Sequence, residues 1–243
     1  MSQTSPRIAL VTGANRGIGL EICRQLGTAG IIVYLGARDD LLGKQAASAL
    51  RDTGLDVRYL RIDTDDSTTY QAAHDRIARE FGRLDILVNN VGMGFDWACT
   101  AANVPIELVR KTFDINFFSI LELTGHLLPL LEKSPAGRIV NQSSAIGSLS
   151  LHASPESWAQ GDRPLAYCAS KTALNAFTQH LACALRNTPI KVNSAHPGIV
   201  KTDPNPGGLI SPEEGARTAV SLALLPNDGP TGGFFHLDEP IPW

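Results

Sequence analysis

Cysteine and histidine are sparse in this sequence, and neither occurs in a pattern that binds metal. The six histidines show no metal-ligand spacing and no HExxH motif. The four cysteines contain no CxxC pair, which is typical of reduced thiols in a cytosolic protein and not of a disulfide framework. We therefore predict no metal site and a cytoplasmic location. The cysteines are Cys23, Cys99, Cys168 and Cys183.

Long apolar runs and a strong charge of one sign are also absent. No run is long enough to cross a bilayer, and the polar start at residues 1–7 shows no signal peptide. The formal net charge of −3 argues against nucleic acid or an anionic membrane as the main partner. A chain of 243 residues that is 43% hydrophobic can bury a sizeable core without disulfides. We expect an ordinary globular protein.

Short apolar runs alternate with longer helical patterns along the whole chain, which predicts parallel strands with crossover helices on both faces. We predict an α/β fold in which residues 1–243 form a single-domain, Rossmann-type, doubly wound sheet of about seven parallel strands. The predicted strands are residues 8–12, 31–37, 56–62, 84–89, 138–142, 191–196 and 234–237. The predicted helices are residues 17–29, 41–53, 67–81, 105–132, 165–187 and 212–225.

Two irregular stretches, residues 145–163 and 198–210, follow predicted strands. Both should therefore lie at the carboxyl edge of the sheet. Ligands bind at that edge in open α/β sheets, so we expect these stretches to border a binding site.

A glycine-rich segment at residues 12–19, TGANRGIG, follows the first predicted strand and opens the first helix. Gly13 permits a tight turn, while Gly17 and Gly19 allow a pyrophosphate to approach and the helix to pack closely on the strand. The helix N-terminus offers free N–H groups and partial positive charge to phosphates. Glycines also serve any tight strand–helix corner, but the strand–turn–helix context favours nucleotide binding.

The residues at the end of the second predicted strand indicate whether the chain binds NAD or NADP. NAD-binding proteins usually place Asp or Glu there, on the ribose 2′-hydroxyl, whereas this chain has Arg38, with Arg16 as a second cation in the glycine loop. Arginine pairs with a 2′-phosphate through charge-assisted hydrogen bonds. Asp39 and Asp40 lie just beyond the strand, where we expect a helix cap. The sequence therefore predicts NADP(H) as cofactor.

Tyr167 and Lys171 are four residues apart in a predicted helix, so their side chains project from one face. An ammonium beside a phenol favours the phenolate, and we therefore expect the Tyr167 pKa to lie below its ordinary value. Such a phenol can exchange a proton with a substrate oxygen near neutral pH. Because a solvated lysine beside a half-buried tyrosine is common, the pair gains its weight from the nucleotide-binding signature.

Six motifs, in order and across nearly the whole chain, resemble those of the classical short-chain dehydrogenase/reductase family. They are TGxxxGxG at residues 12–19, NNVG at residues 89–92 in place of the family's NNAG, the helix residue Asn116, the strand that ends in Ser144, YxxxK at Tyr167 and Lys171, and the PG segment at residues 196–202. The resemblance implies a Rossmann-type oxidoreductase that reversibly reduces a ketone or aldehyde with NADPH.

The resemblance also implies a role for each matching residue. Tyr167 gives a proton to the carbonyl oxygen, and Ser144 hydrogen-bonds that oxygen. Lys171 holds the nicotinamide ribose and lowers the tyrosine pKa, while Asn116 fixes a water that links Lys171 to solvent. The implied cofactor-binding residues are Gly13, Asn15, Arg16, Gly17, Ile18, Gly19, Arg38, Asp63, Thr64, Asn90, Tyr167, Lys171, Pro197, Gly198, Ile199 and Thr202.

Four of these positions keep a second interpretation. Asp63 matches the family residue that contacts the adenine amino group, but it could equally cap the end of a strand. Thr202 either bonds the nicotinamide carboxamide or starts a turn. Asn116 either serves catalysis or only caps a backbone break. Ser143 competes with Ser144 for the catalytic role. Alternation along a strand points the two serines to opposite sides, and the family pattern selects Ser144.

The segment between Ser144 and Tyr167 is longer than is usual in the family. Its extra residues, 152–163, together with the tail at residues 229–235 and the closing residues 241–243, resemble the carbonyl reductase-like branch, in which an insert before the tyrosine hinders tetramer packing. We therefore expect a monomer in preference to a dimer or tetramer. His152 and Trp158, both in the insert, either shape substrate choice or belong to a surface lid.

Residues 91–97 are expected to line the substrate pocket, with Phe95 and Trp97 either in the pocket or in the core. A mostly apolar lining suits a hydrophobic carbonyl compound. One alternative is a catalytically silent NADP(H)-binding regulatory protein, which would have no need of a tuned phenol. Another is a reductase of a carrier-bound keto-acyl substrate, which predicts a basic patch at the entrance that the sequence does not clearly show.

Overall fold

Eight strands form one sheet in the computed structural model, which describes residues 6–159, 161, 163–203 and 205–243. The strands are β1 (Ile8–Val11), β2 (Ile32–Ala37), β3 (Val57–Arg61), β4 (Ile86–Asn89), β5 (Arg138–Gln142), β6 (Lys191–Ala195), β7 (Phe234–His236) and β8 (Glu239–Pro240). Their order in the sheet is β3-β2-β1-β4-β5-β6-β7-β8. All neighbours are parallel except β7 and β8. The predicted parallel α/β sheet is thus confirmed, with one short antiparallel edge strand added.

Helices cover both faces of this sheet. They are α1 (Gly17–Thr28), α2 (Asp40–Arg51), α3 (Thr68–Phe81), α4 (Ile106–Phe113), α5 (Ser119–Leu131), α6 (Leu149–Ala153), α7 (Leu165–Ala184) and α8 (Pro212–Ala223). Val140 packs in a core cluster with residues of α1, α2 and α8, whereas Ile139 packs in a second cluster with residues of α3, α5 and α7. Because successive strand residues point to opposite faces, a sheet buried on both sides needs continuous apolar strands.

The predicted helix at residues 105–132 is interrupted in the structure. A π-helical turn, Asp114–Phe118, separates α4 from α5. The apolar pattern runs through this turn without a break, so periodicity alone could not reveal it. The stretch at residues 145–163, predicted to be irregular, contains the 3₁₀ turn Ala145–Gly147 and α6.

The sheet topology creates a crevice at one edge. The chain adds β2 and β3 on one side of β1, then returns to place β4 on the other side. The connections after β1 and β4 therefore diverge at the carboxyl edge, where ligands bind in folds of this kind. Among the described residues, no helix has both the length and the apolar character needed to cross a membrane.

Candidate active site

A cleft of about 650 Å³ opens at the carboxyl edge of the sheet, at this switch point. Most of its walls come from the loops after β1, β2, β3 and β4 and from the segment after β6. The predicted cofactor residues that line it are Gly13, Asn15, Arg16, Gly17, Ile18, Gly19, Arg38, Thr64, Asn90 and Thr202. The other predicted site residues do not line it; they are Asp63, Asn116, Ser144, Tyr167, Lys171, Pro197, Gly198 and Ile199.

The loop after β1 is held tightly against the loop after β4. Gly13 has φ +61°, and a Cβ atom there would lie 3.1 Å from Val91 Cα. A Cβ on Gly19 would lie 2.5 Å from Asn90 Nδ2. Thr12 Oγ1 accepts hydrogen bonds from the N–H groups of Asn90 and Val91. At Gly19 the missing side chain therefore makes room for the neighbouring loop.

The first turn of α1 is open to an anion. Arg16 at the N-cap is extended, with φ −161°, and its side chain makes no capping hydrogen bond; the first turn also contains no acidic residue. Gly17 has φ +57°, and its Cβ position lies 3.5 Å from Thr202 Cγ2 across the cleft. Uncapped N–H groups at a helix start bind phosphate oxygens well, so this part of the cleft fits a pyrophosphate.

Two arginines line the cleft at the end of β2 and in the glycine loop. Arg38 and Arg16 are both exposed. Arg16 Nη1 forms an ion pair with Asp203 Oδ2 at 2.8 Å, and both side chains remain more than half exposed. The structure therefore brings the two predicted 2′-phosphate ligands to one cleft, with Asp203 as a competing anion.

The carboxylates of Asp39 and Asp40 accept hydrogen bonds at the start of α2, as the sequence predicts for a helix cap. The Asp39 carboxylate accepts a hydrogen bond from Leu42 N–H at 2.9 Å. Asp40 accepts hydrogen bonds from Lys44 Nζ at 2.9 Å and from the Tyr59 hydroxyl at 2.8 Å. These partners hold both acids in the helix start, and neither acid lines the cleft.

Asp63 follows β3, and its carboxylate forms hydrogen bonds with residues close to it in the chain. Its carboxylate accepts hydrogen bonds from Arg61 Nη2 and from the Asp65 N–H, each at 3.2 Å. These contacts correspond to the strand-end cap that the sequence left as an alternative. The adjacent Thr64 and Asp65 line the cleft.

Tyr167 and Lys171 lie one turn apart on α7, which starts at Leu165. Lys171 is 3% exposed, and its Nζ donates a hydrogen bond to the Gln142 carbonyl at 2.8 Å. The same Nζ lies 5.7 Å from the centre of the Tyr167 ring. A Cβ on Gly92 would lie only 2.9 Å from Nζ, so the glycine of the NNVG motif gives the ammonium its space.

The Tyr167 pKa differs from the expectation. Burial raises it to about 12, although the neighbouring Ser144 side chain lowers it. Burial also lowers the Lys171 pKa to about 8. The prediction of a phenol made acidic by its lysine is therefore wrong. Desolvation disfavours both charged forms, and Lys171 directs a hydrogen bond to a backbone carbonyl.

The two serines that follow β5 point in different directions, as strand alternation predicts. Ser143 is 2% exposed, and its hydroxyl lies 3.5 Å from the Lys171 carbonyl in the interior. Ser144 is partly exposed and extended at the start of the 3₁₀ turn. Its side chain is the one that interacts with the Tyr167 phenol.

Asn116 is fully buried in the π-helical turn. Its Oδ1 accepts a hydrogen bond from Met93 N–H, and its Nδ2 donates to the Met93 carbonyl, both at 2.8 Å. Nδ2 also donates to Ser170 Oγ at 3.0 Å. The side chain thus caps the loop after β4 at Met93 and ties it to α7 at Ser170, so the structure shows the capping role that the sequence offered as an alternative. Turns of this kind are frequent at functional sites.

The PG segment follows β6 and folds back on itself. Gly198 has φ +86°, a conformation that favours glycine. Thr202 exchanges backbone hydrogen bonds with Asn205, so it starts a turn and also lines the cleft. Pro204 lies outside the described residues. Pro197 and Ile199 lie on the same segment but do not border the cleft.

Asp96 is a site residue that the sequence did not reveal. It is fully buried, and its carboxylate accepts hydrogen bonds from the N–H groups of Ala166 at 2.6 Å and Tyr167 at 3.4 Å. The N-cap of α7 is Pro164, which offers no side-chain hydrogen bond. Asp96 thus caps α7, the helix of Tyr167 and Lys171, from the loop after β4. The only sequence signal is an acid among apolar residues shortly after NNVG.

Trp97, next to Asp96, lies against Tyr167. The two ring centres are 5.1 Å apart with planes inclined by 39°. The indole is 62% exposed, and its Nε1 donates a hydrogen bond to the Gly94 carbonyl at 3.1 Å. This exposure excludes the core for Trp97, although Trp97 does not line the cleft described above; Phe95, which had the same two alternatives, does line it.

His196 fixes the turn that follows Ser144. Its Nδ1 accepts a hydrogen bond from Ala145 N–H at 3.2 Å. Burial, with His236 close by, lowers the His196 pKa to about 4. The imidazole is thus neutral at ordinary pH, as an acceptor nitrogen requires.

The insert begins beside this turn. His152 Nε2 lies 2.8 Å from the Ile146 carbonyl. Trp158 is 55% exposed, with the Arg163 guanidinium 5.9 Å from its ring centre. Gln160 and Asp162, also predicted as part of the insert, lie outside the described residues.

Comparison with known proteins agrees with this geometry. Residues 7–207 match the family described as short chain dehydrogenase. Carbonyl reductase [NADPH] 1 of Mus musculus is 35% identical, with 100% of both chains covered. The structure of salutaridine reductase from Papaver somniferum has a TM-score of 0.81 and 32% identity, covering 96% of this chain and 99% of that one. The Pseudomonas aeruginosa RhlG/NADP complex has a TM-score of 0.83 and 30% identity, covering 96% and 94%.

The family match spans most of the chain, and its strands and loops carry the cleft and the Ser144–Tyr167–Lys171 cluster. The resemblance drawn from six motifs is thereby confirmed. This chain belongs to the short-chain dehydrogenase family and is similar to its carbonyl reductases.

Proposed function

We propose that this protein reduces a ketone or aldehyde to the alcohol with NADPH, in a reversible reaction in which Tyr167 supplies the proton. The observation that carries the proposal is the grouping of one phenol with a serine and a lysine. The Ser144 side chain lowers the pKa of the Tyr167 phenol, and Lys171 Nζ lies 5.7 Å from the centre of the phenol ring. Three such groups fit a carbonyl oxygen that gains negative charge.

NADP(H) fits the cleft on structural grounds. The uncapped start of α1 would hold the pyrophosphate, and Arg16 and Arg38 would hold the 2′-phosphate. Thr64, Asn90 and Thr202 line the same cleft. When bound, the reduced nicotinamide supplies the hydride. The mouse relative is named for NADPH, which supports the same choice.

The chain's own residues handle the proton and the charge. Tyr167, with its pKa raised to about 12, is protonated at neutral pH and is therefore ready to donate. Ser144 orients the carbonyl oxygen through its hydroxyl. Lys171 is mostly charged at pH 7 because its pKa is about 8. Its ammonium stabilises the phenolate that remains after the proton has moved.

A Tyr167→Phe variant tests the proposal, with Tyr70→Phe as the matched control, since Tyr70 lies in α3. We expect Tyr167→Phe to bind NADPH with unchanged affinity and to lower kcat by at least about a hundredfold, the usual size of an acid–base contribution. Tyr70→Phe should keep wild-type kcat. NADPH oxidation would be followed with aryl ketones, α-keto esters, quinones and small aldehydes.

The outcomes separate the candidate functions. Unchanged turnover in Tyr167→Phe would overturn the role of the phenol. NADPH binding without turnover of any substrate by the wild type would indicate the silent regulatory protein. Equal efficiency with NADH and NADPH would contradict the roles of Arg16 and Arg38, and Arg38→Ala should raise the KM for NADPH but not for NADH.

A further inference from the structure

Residues 96 and 97 act on Tyr167 from two sides. Asp96 accepts hydrogen bonds from the first turn of α7, including one from the Tyr167 N–H. Trp97 packs its ring on the Tyr167 ring. One dipeptide from the loop after β4 thus holds the backbone and also covers the ring of the residue proposed to give the proton.

The hydrogen bonds that the Asp96 carboxylate accepts from the start of α7 account for its burial. A buried carboxylate is unfavourable unless it is hydrogen-bonded, and Asp96, at 0% exposed, receives its two hydrogen bonds from α7 N–H groups. Carboxylates also interact favourably with the positive end of a helix. Since Pro164 leaves α7 without a side-chain cap of its own, the position of the helix start, and of Tyr167 within its first turn, depends on Asp96.

Trp97 is held in place but remains accessible. A Cβ on Gly94 would lie 2.9 Å from the indole ring, and the Gly94 carbonyl binds the indole N–H. The side chain is therefore fixed along one edge, while 62% of its surface faces solvent. An exposed, fixed aromatic face beside a proton donor is a platform on which a flat apolar group can stack.

Other exposed apolar side chains come from the segments that carry the site. Met93 follows NNVG, Leu149 follows the Ser144 turn, Leu165 starts α7, and Ile199 lies in the PG segment. Each is between 38% and 64% exposed. Of these four, Met93 lines the cleft, and an exposed apolar side chain at a cleft suits a hydrophobic ligand.

We propose that Trp97 is a specificity-determining residue that selects ketones bearing a flat aromatic group over small aliphatic ones, and that Asp96 is the positioning residue that holds Trp97 and Tyr167 together. This rests on the proposed reductase function. The substrate class is thus an aryl ketone whose ring lies on the indole while its carbonyl oxygen meets Ser144 and Tyr167.

The test of Trp97 compares kcat/KM for acetophenone and for 2-butanone with NADPH. We expect Trp97→Ala to lower kcat/KM for acetophenone about tenfold, since an aromatic contact contributes about that factor, and to change the value for 2-butanone less than about twofold. Trp97→Phe should keep most of the preference. Trp158→Ala is the matched control, because Trp158 is exposed to a similar degree but packs near Arg163.

A binding measurement separates this proposal from the proposed function. In a Tyr167→Phe background with NADP⁺ bound, acetophenone binding would be followed by calorimetry, with and without Trp97→Ala. Loss of affinity on Trp97→Ala supports the platform even if the wild type reduces neither ketone, which would overturn the reductase proposal alone. An equal effect of Trp97→Ala on both ketones, or an equal effect of Trp158→Ala, overturns the role of Trp97.

The test of Asp96 uses a graded set of variants. Asp96→Asn keeps an acceptor oxygen and should retain kcat within about threefold, whereas Asp96→Ala should lower kcat at least about tenfold with the KM for NADPH unchanged. If Asp96→Ala does not fold, Asp96→Glu, which keeps the charge but displaces the oxygens, should show the same loss of kcat. Unchanged kcat in a folded Asp96→Ala or Asp96→Glu variant overturns the positioning role.

Discussion

At the level of single side chains, environment changes the chemistry that the residue types imply. Tyr167 and Lys171 both have pKa values shifted against their charged forms, because both lie in a desolvated region behind the cleft. His196 is shifted in the same way. Burial outweighs attraction between neighbours here, since Lys171 Nζ is bound to the Gln142 carbonyl. The donor that results is a neutral phenol, which suits reduction.

The first prediction concerns pH. Lys171, with its pKa lowered to about 8, is charged below that pH and neutral above it. We therefore expect kcat/KM for NADPH in ketone reduction to be near its maximum at pH 7, to be about half of that at pH 8, and to fall above it toward tenfold per pH unit. Tyr167 remains protonated over this range. In Lys171→Arg, whatever activity remains should lack the fall, because guanidinium stays charged; a profile that is level to pH 10 in the wild type would contradict the assignment.

At the level of elements, loops at the carboxyl edge are tied to each other and not only to the sheet. Asn116 in the π-helical turn binds the Met93 backbone, and Asp96 binds the start of α7. A Cβ on Gly92 in the same loop would lie 2.9 Å from Lys171 Nζ and 3.6 Å from Asn116 Oδ1. The geometry of the proposed catalytic cluster therefore depends on the loop after β4.

The second prediction compares two glycines. Gly92→Ala would place Cβ 2.9 Å from Lys171 Nζ, so the ammonium must move and lose its bond to the Gln142 carbonyl. We expect kcat to fall at least about tenfold, with a loss of stability below about 1 kcal/mol, because only the end of a flexible side chain shifts. Gly125→Ala, in the exposed interior of α5 with nothing near its Cβ position, should leave kcat unchanged and stabilise the protein by about 1 kcal/mol. Steady-state kinetics and urea unfolding measure both.

The third prediction concerns the ion pair between Arg16 in the glycine loop and Asp203, which directly follows the PG segment. The Asp203 carboxylate forms an ion pair with Arg16, which we propose as a ligand of the 2′-phosphate. Because both side chains are exposed, the pair contributes at most about 1 kcal/mol. Asp203→Asn should therefore lower the KM for NADPH by no more than about fivefold and leave the KM for NADH unchanged. An increase in the KM for NADPH would show that Asp203 assists binding.

At the level of the whole molecule, the two edges of the sheet differ in construction. At the amino edge, buried Asp85 accepts hydrogen bonds from the Ile8 N–H and from Ser134 Oγ. Buried Arg138 donates to the carbonyls of Leu225 and Pro189. These charges are fully hydrogen-bonded in a region without site residues, so they fasten the scaffold. The carboxyl edge is left to loops that can differ between proteins of one fold.

The fourth prediction is a loss of stability in mild acid. The His196 pKa is lowered to about 4 in the folded protein, below its ordinary value in the unfolded chain. Between these values the unfolded state binds the proton and the folded state does not, so stability falls as pH falls from about 6.5 to 4. The loss should reach about 3 kcal/mol. Urea unfolding of the wild type and His196→Asn at pH 7 and pH 4.5 would measure it, and an equal loss in both proteins would exclude His196 as its source.

The elements differ in how far sequence could predict them. β5 was predicted with the observed bounds, and the other strands of the parallel sheet to within two residues at each end. The π-helical turn and β8 were not predicted, because an apolar pattern continues through the turn and two residues show no periodicity. The glycine loop was placed in the cleft with both arginines, since strand, turn and helix signals there are local. The expected oligomeric state remains a prediction.

The order of strands and helices, the glycine loop at the first switch point and the pairing of Tyr167 with Lys171 follow from the sequence, because they depend on spacing within one element or one turn. The direction of the Tyr167 pKa shift, the cap from Asp96 and the contact of Trp97 depend on segments far apart in the chain. Burial and long-range hydrogen bonds exist only once those segments have packed. The tertiary structure therefore decided which neighbours hold and cover the phenol that the sequence had already identified.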